Sequence, residues 1–432
     1  MAFLSGWSYR KPVTLSRASG AVTNYQMKLK VGESSGAAGE DVDCGALCKT
    51  DFSDLRFTAA DGTTLLDYYI EDVSGTTPNQ LATVWIEFDS IGTGATTFYM
   101  YYGNAGASAV SNGPNTFILF EDFNALTTGD LAGQNGWSAG ANVLFDVQTS
   151  VVKEGAKALG VGVITDGGTA YKTIPGNTWN IWIEAWIRAT NAATTNSSML
   201  NVSEGTTEIS GLEIGQNAIE HLFGSSPYWT SVGVAASANT WYKVKFAFNA
   251  KTSHLIWVND TPYTPANLSN YNSITTKVDR VYFRRWSGVA GTSAYCDVIK
   301  IGQYLATEPA WGSWGAEEPA LNHYTLELEP ASFSMTGAAV RLLNNKSFIA
   351  GPGAFSMIGK NIGMPKALVP FSLEPGAFAM TGAALSIRRP VSYMRMDPGA
   401  FSMIGKPVDV KYHWYSGEAG SNYEFQKQRR KF

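Results

Sequence analysis

The side chains that most often carry out chemistry are few in this sequence and widely separated. The four histidines and three cysteines are scattered, so neither a second Cys pair nor a nearby His completes a zinc site. There is no Gly-x-Ser-x-Gly elbow, no His-Glu-x-x-His pair and no phosphate-binding loop. We therefore expect a protein that is not an enzyme and that requires no cofactor.

One cluster of charged residues is close enough together in the sequence to be a candidate site, namely Asp51, Asp54 and Arg56. Asp54 and Arg56 are two residues apart, so on a strand they share a face, and we expect an ion pair that holds the strand edge. The alternative is an acidic edge that contacts a glycan or Ca²⁺. Nearby, Cys44 and Cys48 could bridge each other or stay reduced, and the sequence leaves both possibilities open.

Charge and hydropathy exclude two broad classes of function. The 432-residue chain has a formal net charge of -4, which argues against general nucleic-acid binding. No apolar run is long enough to span a bilayer, so we expect no membrane insertion. The first residues lack a charged leader followed by an apolar core, and we therefore expect no secretory signal and synthesis in the cytoplasm.

The elements that must position any site are strands. Thr, Gly, Asn and aromatic residues dominate, with 13 Trp and 20 Tyr, and long amphipathic Leu/Glu/Lys runs are missing, which is typical of all-β proteins. We place domains at residues 1–114, 115–318 and 319–410, followed by a basic tail at 411–432. Residues 105–115 and 308–319 are predicted linkers.

The first segment alternates apolar and polar residues as half-buried strands do. Its phrases Trp7-x-Tyr-Arg, Asp51-Phe-Ser-Asp-Leu-Arg-Phe57, Ala82-Thr-Val-Trp85 and Tyr101-Tyr-Gly-Asn104 resemble, in order, an uncharacterised module named domain of unknown function 2341. The resemblance covers residues 5–110. It implies a small β-sandwich of the kind found in bacterial surface proteins and phage proteins, and it carries over no catalytic residue.

The second segment contains many short strands separated by Gly, Asn and Thr turns, which predicts a jelly-roll sandwich. Its opening Glu121-Asp-Phe123, the strand Trp241-Tyr-Lys-Val244, the hairpin Trp257-Val-Asn-Asp260 and the closing Asp297-Val-Ile-Lys-Ile301 resemble a concanavalin A-like, laminin G-type lectin sandwich. This resemblance rests on the order of the strands more than on an invariant motif.

Sandwiches of that kind commonly bind glycans on one concave face, where aromatic rings stack on sugars and polar side chains bind the hydroxyls. The resemblance therefore implies these glycan-binding candidates: Tyr228, Trp229, Trp257, Arg284, Arg285 and Trp286. The alternative for Trp257 and Trp286 is that they fill the core of the sandwich. Tyr228 and Trp229 lie in a Ser/Gly-rich stretch that is typical of exposed loops.

Two further features of such sandwiches concern carboxylates. Many relatives hold a structural calcium ion between the opening and closing strands, and Glu121, Asp122 and Asp297 occupy the matching places, so a bound Ca²⁺ is an expectation of the resemblance. Retaining glycosidases of the fold carry Glu-x-Asp-x-x-Glu on one strand. The stretches around Glu184 and Glu213 do not reproduce that phrase, which again argues against an enzyme.

Near its end the chain repeats one phrase four times, starting at Pro330, Pro352, Pro375 and Pro398, with spacings of 22, 23 and 23 residues. Each copy places Phe and Met on one face of a predicted β-hairpin that is too short to bury this face alone. Alternating endings suggest pairs of hairpins. The face closes either within a self-contained repeat domain or between subunits, through these assembly residues: Phe333, Met335, Phe355, Met357, Phe378, Met380, Phe401 and Met403.

These repeats resemble the Gly-x-Phe-x-x-Thr-Gly repeats at the ends of tailed-phage virion proteins. Together with the first module, the resemblance implies a virion protein, in a tail or baseplate fibre or on the head, that contacts other virion proteins and forms a homo-oligomer, expected to be a trimer. We expect weak binding of host-surface polysaccharide, strengthened by several linked sites. The alternatives are a decoration or cement protein without sugar binding, and a glycan depolymerase.

Overall fold

The computed structural model of the protein describes residues 2–17, 20–37, 39–139, 145–161, 168–193, 198–222, 229–249, 253–264, 272, 276–285 and 293–320, and nine strands after them. The chain divides into two compact units, Met1–Pro319 and Ala320–Phe432. Nearly every regular element is a strand, so the predicted all-β class is confirmed. None of the helices in the described part of the chain is long and apolar enough to cross a bilayer.

The first sandwich begins with eight strands, which are β1 (Tyr9–Ser16), β2 (Tyr25–Gly32), β3 (Val42–Asp43), β4 (Arg56–Thr58), β5 (Leu65–Leu66), β6 (Tyr68–Ser74), β7 (Leu81–Phe88) and β8 (Thr96–Tyr102). Two strands from far along the chain, β25 (Ala310–Trp314) and β26 (Glu318–Pro319), complete it. Sheet I has the order β25-β1-β8-β4-β5 with β26 beside β1, and sheet II has the order β3-β2-β7-β6. Apolar side chains at alternate strand positions form the core between the two sheets.

The return of β25 and β26 to the first sandwich differs from the sequence analysis, which assigns residues 308–319 to a linker and residues up to 318 to the second domain. β25 pairs antiparallel with β1, and Trp311 and Trp314 pack against the first core. Glu318 accepts a hydrogen bond from Arg10 Nε at 2.7 Å. The second sandwich is therefore an insertion within the first, because strands on both sides of it belong to sheet I.

The buried Asp54 and Arg56 have structural roles, but the ion pair predicted between them does not form. The Asp54 carboxylate accepts hydrogen bonds from the backbone N–H groups of Gly103 at 2.8 Å and Asn104 at 3.1 Å. Arg56 donates instead to backbone carbonyls, including Ser108 O at 2.7 Å. The phrases that carry the family resemblance thus contact each other, and loop backbone rather than a ligand satisfies the two charges. Cys44, Cys48 and Cys296 are free thiols.

The predicted linker at residues 105–115 is held against the first sandwich. Besides the bond from Arg56, Lys49 Nζ donates to Ala107 O at 3.0 Å, and Asn112 N donates to Tyr68 O at 2.8 Å. A single helical turn, α1 (Gly113–Thr116), follows, with the Asn112 side chain capping it. The connection is therefore an ordered part of the two-sandwich unit.

The second sandwich contains sixteen strands: β9 (Leu119–Glu121), β10 (Gly129–Asp130), β11 (Trp137–Ala139), β12 (Phe145–Gln148), β13 (Ala158–Val161), β14 (Gly168–Thr178), β15 (Ile181–Ala189), β16 (Ser198–Glu204), β17 (Thr207–Gly215), β18 (Ala218–Leu222), β19 (Trp229–Ala235), β20 (Tyr242–Asn249), β21 (Ser253–Val258), β22 (Thr261–Tyr263), β23 (Val278–Arg285) and β24 (Ala294–Gln303). Sheet III has the order β10-β12-β13-β24-β15-β20-β21-β22 with β9 beside β24. Sheet IV has the order β11-β14-β23-β16-β17-β18-β19. A continuous apolar core joins the two sheets.

The C-terminal unit contains β27 (Tyr324–Leu328), β28 (Phe333–Arg341), β29 (Lys346–Ala350), β30 (Ala354–Met364), β31 (Phe371–Leu373), β32 (Ala377–Ile387), β33 (Met394–Met396), β34 (Ala400–Gly405) and β35 (Val408–Val410). Sheet V has the order β27-β29-β31-β33, and sheet VI has the order β28-β30-β32-β34 with β35 beside β32. All these pairings are parallel, so the predicted hairpins are wrong for these residues.

The parallel pairing arises because the chain alternates between the two sheets. Between two strands of sheet VI the chain adds one strand to sheet V, and it then returns in the same direction one repeat later. The register sets Phe333, Phe355, Phe378 and Phe401 side by side, with the four methionines two residues further on. All four copies are thus equivalent in the sheet. The assembly role of these eight residues stays a prediction.

The half-buried carboxyl group of Glu87 on β7 makes the stability of the first sandwich depend on pH. Burial, with Asp67 and Asp89 nearby, raises the pKa of Glu87 to about 7. Because the folded state then holds the proton more tightly than the unfolded state, stability present at low pH is lost as pH rises from about 4.5 to about 7. The side chain is half-buried, so solvent screening limits the effect to about 1 kcal/mol.

We therefore expect Glu87→Gln to stabilise the protein by about 1 kcal/mol at pH 8 and by almost nothing at pH 4. Urea unfolding at the two pH values measures this difference. Asp72→Asn, at an exposed position of β6, is the control for simple loss of a surface charge. An equal gain in stability at both pH values would contradict the raised pKa of Glu87.

Candidate functional site

Each sheet of the second sandwich has an outer face, and that of sheet III packs against sheet II of the first sandwich. The indole rings of Trp85 and Trp182 stack across this junction with centroids 5.0 Å apart. Phe117 and Phe120, from the connecting segment, extend the same apolar cluster. Trp257 on β21 is partly buried against it. Hence Trp257, a predicted glycan-binding residue, lies at the junction of the two sandwiches.

Beside the aromatic rings lies a group of charged residues that we call the junction cluster, made up of Lys28, Glu71, Glu184, Lys243, Lys245, Asp260 and Lys300. Lys300 Nζ lies 2.5 Å from Glu71 Oε1 and 2.7 Å from Glu184 Oε1, and all three side chains are at most 6% exposed. Burial opposes ionisation of Glu71, yet Lys300 and two further lysines hold its pKa well below the usual range. Burial likewise opposes the charge of Lys300, but Glu184 and Glu71 raise its pKa.

The outer face of sheet IV carries half-buried side chains of both charges and an aromatic ring. Arg284 Nη1 on β23 lies 3.2 Å from Glu208 Oε2 on β17. On the same face, the Arg280 guanidinium lies 4.6 Å from the ring centre of Tyr171 on β14. Guanidinium and carboxylate groups bind sugar hydroxyls as donors and acceptors, and an aromatic ring offers an apolar surface. This face therefore has the chemistry that a glycan needs.

This face also carries a pair of carboxyl groups that the sequence patterns did not predict. Glu213 on β17 and Glu220 on β18 lie directly opposite each other and are 0% and 4% exposed. A Cβ added at Gly215 would lie 2.4 Å from Glu220 Oε2 and 3.1 Å from Glu213 Oε1, so both carboxyls use the space that this glycine leaves. Burial raises the pKa of Glu220, while its hydrogen bond with Glu213 lowers it.

A turn provided the signal that could have found this pair. Gln216 and Asn217 both have positive φ, 49° and 60°, as a two-residue type I′ hairpin turn requires. Such a turn pairs the residues equidistant from it, and Glu213 and Glu220 are equidistant from these two positions. Asn217 is a residue type that favours this turn. A hairpin turn predicted at residues 216 and 217 would therefore have placed Glu213 and Glu220 opposite each other.

The predicted glycan-binding residues do not form one cluster. Arg284 and Arg285 end β23, and for Arg285 the structure describes the backbone only. Trp229 begins the edge strand β19, four strands away in the same sheet, whereas Trp257 belongs to the other sheet. Tyr228 and Trp286 lie outside the described residues. Of the predicted set, Arg284 has its side chain on the polar face described above. Trp229 pairs with Leu222, two residues from Glu220, and so lies on the same side of sheet IV at its edge.

The predicted calcium ligands already have protein partners. Glu121 Oε2 lies 2.9 Å from Lys172 Nζ and accepts a hydrogen bond from Trp137 Nε1 at 2.9 Å. Asp297 accepts from the backbone N–H groups of residues 153 and 154, and its burial raises its pKa to about 7. Asp122 accepts from Asn124 N at 3.1 Å. In the described part of the chain no group of three or more ligand side chains could hold a metal ion.

Several solved structures are similar to parts of the chain. The "Cellulose induced protein, Cip1" is 14% identical, with a TM-score of 0.34, over 43% of this chain and 96% of that one. The conserved carbohydrate esterase from Shiga toxin-encoding bacteriophage phi24B is 12% identical, with a TM-score of 0.32, over 43% and 100%. The botulinum neurotoxin serotype D binding domain is 13% identical, with a TM-score of 0.31, over 44% and 48%. Identities and TM-scores this low carry no argument about function.

No curated protein sequence matches the chain. A family model does match part of it, over a range that contains the Asp51–Phe57, Ala82–Trp85 and Tyr101–Asn104 phrases and runs into the second sandwich through β11. The resemblance stated for the first module is thus confirmed within this range. Residues 51–139 carry the Domain of unknown function (DUF2341).

Proposed function

We propose that the protein is a structural component of a bacteriophage particle that binds host-surface glycan through the outer face of sheet IV. The observation that carries the proposal is the asymmetry of the second sandwich. The outer face of sheet III packs on the first sandwich, whereas that of sheet IV presents the half-buried Arg284–Glu208 and Arg280–Tyr171 pairs. Weak binding at such a face would suit a protein displayed in several copies, because linked sites gain affinity from effective concentration.

Glycan-array binding of the whole chain tests this proposal. Arg284→Ala removes a donor and leaves Glu208 without that partner, so we expect affinity for a bound glycan to fall about tenfold, equivalent to about 1.4 kcal/mol. The matched control is Arg188→Ala, which removes a half-buried arginine from sheet III, where it lies over Tyr295. Equal loss in both variants would contradict a site on sheet IV. Absence of any glycan binding would favour the decoration or cement alternative.

We also propose that the protein is not an enzyme, despite the carboxyl pair. Glu213 and Glu220 are buried, whereas an acid that donates a proton to a glycosidic oxygen must reach it. Prolonged incubation with host polysaccharide checks this proposal, because a depolymerase would shorten the chains. If the wild-type protein measurably shortens the polysaccharide and Glu213→Gln abolishes this shortening, the proposed function changes from adhesion to depolymerase activity.

The parallel repeats support the proposal that the C-terminal unit assembles or anchors the protein. Each outer strand of a stacked array has one edge without a neighbour inside the array, and such edges pair readily with another chain. In the described strands β27 and β33 end sheet V. We propose a homotrimer placed in the virion and contacting other virion proteins, and sedimentation of the whole chain measures its oligomeric state.

A further inference from the structure

One lysine of the junction cluster, Lys245, has no carboxylate within pairing distance among the residues that the structure describes. Among the described residues Lys28, Lys243 and Lys300 each have a carboxylate oxygen within 4.0 Å, but Lys245 has none. Glu184 lies opposite Lys245 on the neighbouring strand, yet its carboxylate is paired with Lys300 at 2.7 Å. Within the cluster four lysines thus face three carboxylates, and no carboxylate of the described residues lies within pairing distance of Lys245.

Three tryptophans surround the ammonium group of Lys245 instead. Its Nζ lies 4.5 Å from the ring centre of Trp182, 5.2 Å from that of Trp257 and 5.6 Å from that of Trp85. Ring faces attract a cation, but less strongly than a carboxylate does in the same surroundings. The position therefore holds a positive charge that the protein compensates only in part.

The electrostatics around Lys245 favour a bound anion. Burial lowers the pKa of Lys245, and the charges of Lys28 and Lys300 lower it further, while Glu184 and Glu308 attract the ammonium from beyond pairing distance. An anion in contact with Nζ would stabilise the charged form and offset the repulsion from the other two lysines. An uncompensated lysine that costs stability suggests a binding role, because stability is often lost at functional sites.

Several residues of this place are partly exposed. Lys245 and Trp257 are half-buried, the Lys28 side chain is 30% exposed, and the Asp260 side chain, at the turn beside them, is 57% exposed. Lys245 and Trp257 lie opposite each other on β20 and β21, so an ammonium group and an indole ring are adjacent on one face. A sugar ring that carries a carboxylate could contact both groups at once.

We propose that Lys245 and Trp257 form a subsite for an acidic sugar, in which the indole stacks on the sugar ring and the ammonium pairs with its carboxylate. This inference rests on the carbohydrate binding proposed above, and it places a second contact on the opposite sheet. A free anion such as acetate could pair with the ammonium group, but it has no sugar ring for Trp257 to contact.

Calorimetric titration of the whole chain with a glucuronic acid oligosaccharide, a neutral glucose oligosaccharide of equal length, and sodium acetate tests the inference. We expect the acidic sugar to bind at least about tenfold more tightly than the other two probes. Lys245→Met should reduce that affinity about tenfold and raise the melting temperature by about 2 °C, since it removes an unpaired charge but keeps most of the length of the side chain. Lys153→Met is the matched control, because Lys153 lies over another indole ring, that of Trp186.

The outcomes separate the two proposals. If Lys245→Met raises the melting temperature without weakening the acidic sugar, or if acetate binds equally well, the subsite is overturned. If Arg284→Ala alone removes sugar binding, the subsite fails and the sheet IV proposal stands. If neither sugar binds and the glycan array is also empty, both proposals fail. Loss of acidic-sugar affinity in Lys245→Met and not in Lys153→Met supports the subsite.

Discussion

Replacing Lys300 with methionine is expected to destabilise the two-sandwich unit by about 3–5 kcal/mol. The substitution removes the ammonium group that lies between the Glu71 and Glu184 carboxylates and leaves both buried. Glu71 keeps Lys28 at 3.4 Å and Lys243 at 3.6 Å, but the described residues offer Glu184 no second lysine within pairing distance. The unpaired Glu184 charge, buried near tryptophan rings, carries most of the cost.

Urea unfolding at pH 7, followed by tryptophan fluorescence, measures this loss. The double variant Lys300→Met, Glu184→Gln should recover much of the stability, because it removes the unpaired buried carboxylate and keeps Glu71 for Lys28 and Lys243. The single variant should also be relatively more stable at pH 5, since an unpaired buried carboxylate has a raised pKa and takes up a proton there. A loss below about 1 kcal/mol would show that the junction does not depend on this ion pair.

Ending the chain after Tyr304 is expected to unfold the first sandwich, although all of strands β1 to β8 remain. The truncation removes β25 and β26 from sheet I, and with them the contacts of Trp311 and Trp314 with the first core. It also removes the Glu317 carboxylate that accepts a hydrogen bond from Tyr102 at 2.7 Å. Loss of two large aromatic side chains and an edge strand costs on the order of 5 kcal/mol or more, comparable with the stability of a small domain.

The matched control is a chain that ends after Pro319, the boundary of the first compact unit. Hydrogen exchange of the amides in β1 and β8 reports on sheet I directly. We expect strong protection in the chain that ends after Pro319 and loss of it in the shorter chain. Full protection in both chains would mean that residues 310–319 are dispensable and that the first sandwich folds without them.

Short-range patterns in the sequence account for what it predicted well. Alternating apolar residues, as in Ala82, Val84, Ile86 and Phe88 of β7, reflect one buried face of a strand, and this signal is contained within a few residues. The repeat spacing likewise indicated that each copy must stack on a neighbouring copy or on another chain. It did not give the strand direction, because a hairpin and a parallel coil can both use a unit of this length.

The sequence by itself determined the all-β class, the four equal repeats and the module that contains Asp51–Phe57, because each is encoded in residues close together in the chain. Only the tertiary structure decided that β25 joins β1, that Trp257 faces the first sandwich, and that Lys300 lies between Glu71 and Glu184. Charged residues alternating along a strand normally indicate a face exposed to water. Here a second sandwich covers that face, and contacts between residues more than 200 positions apart leave no local pattern in the sequence.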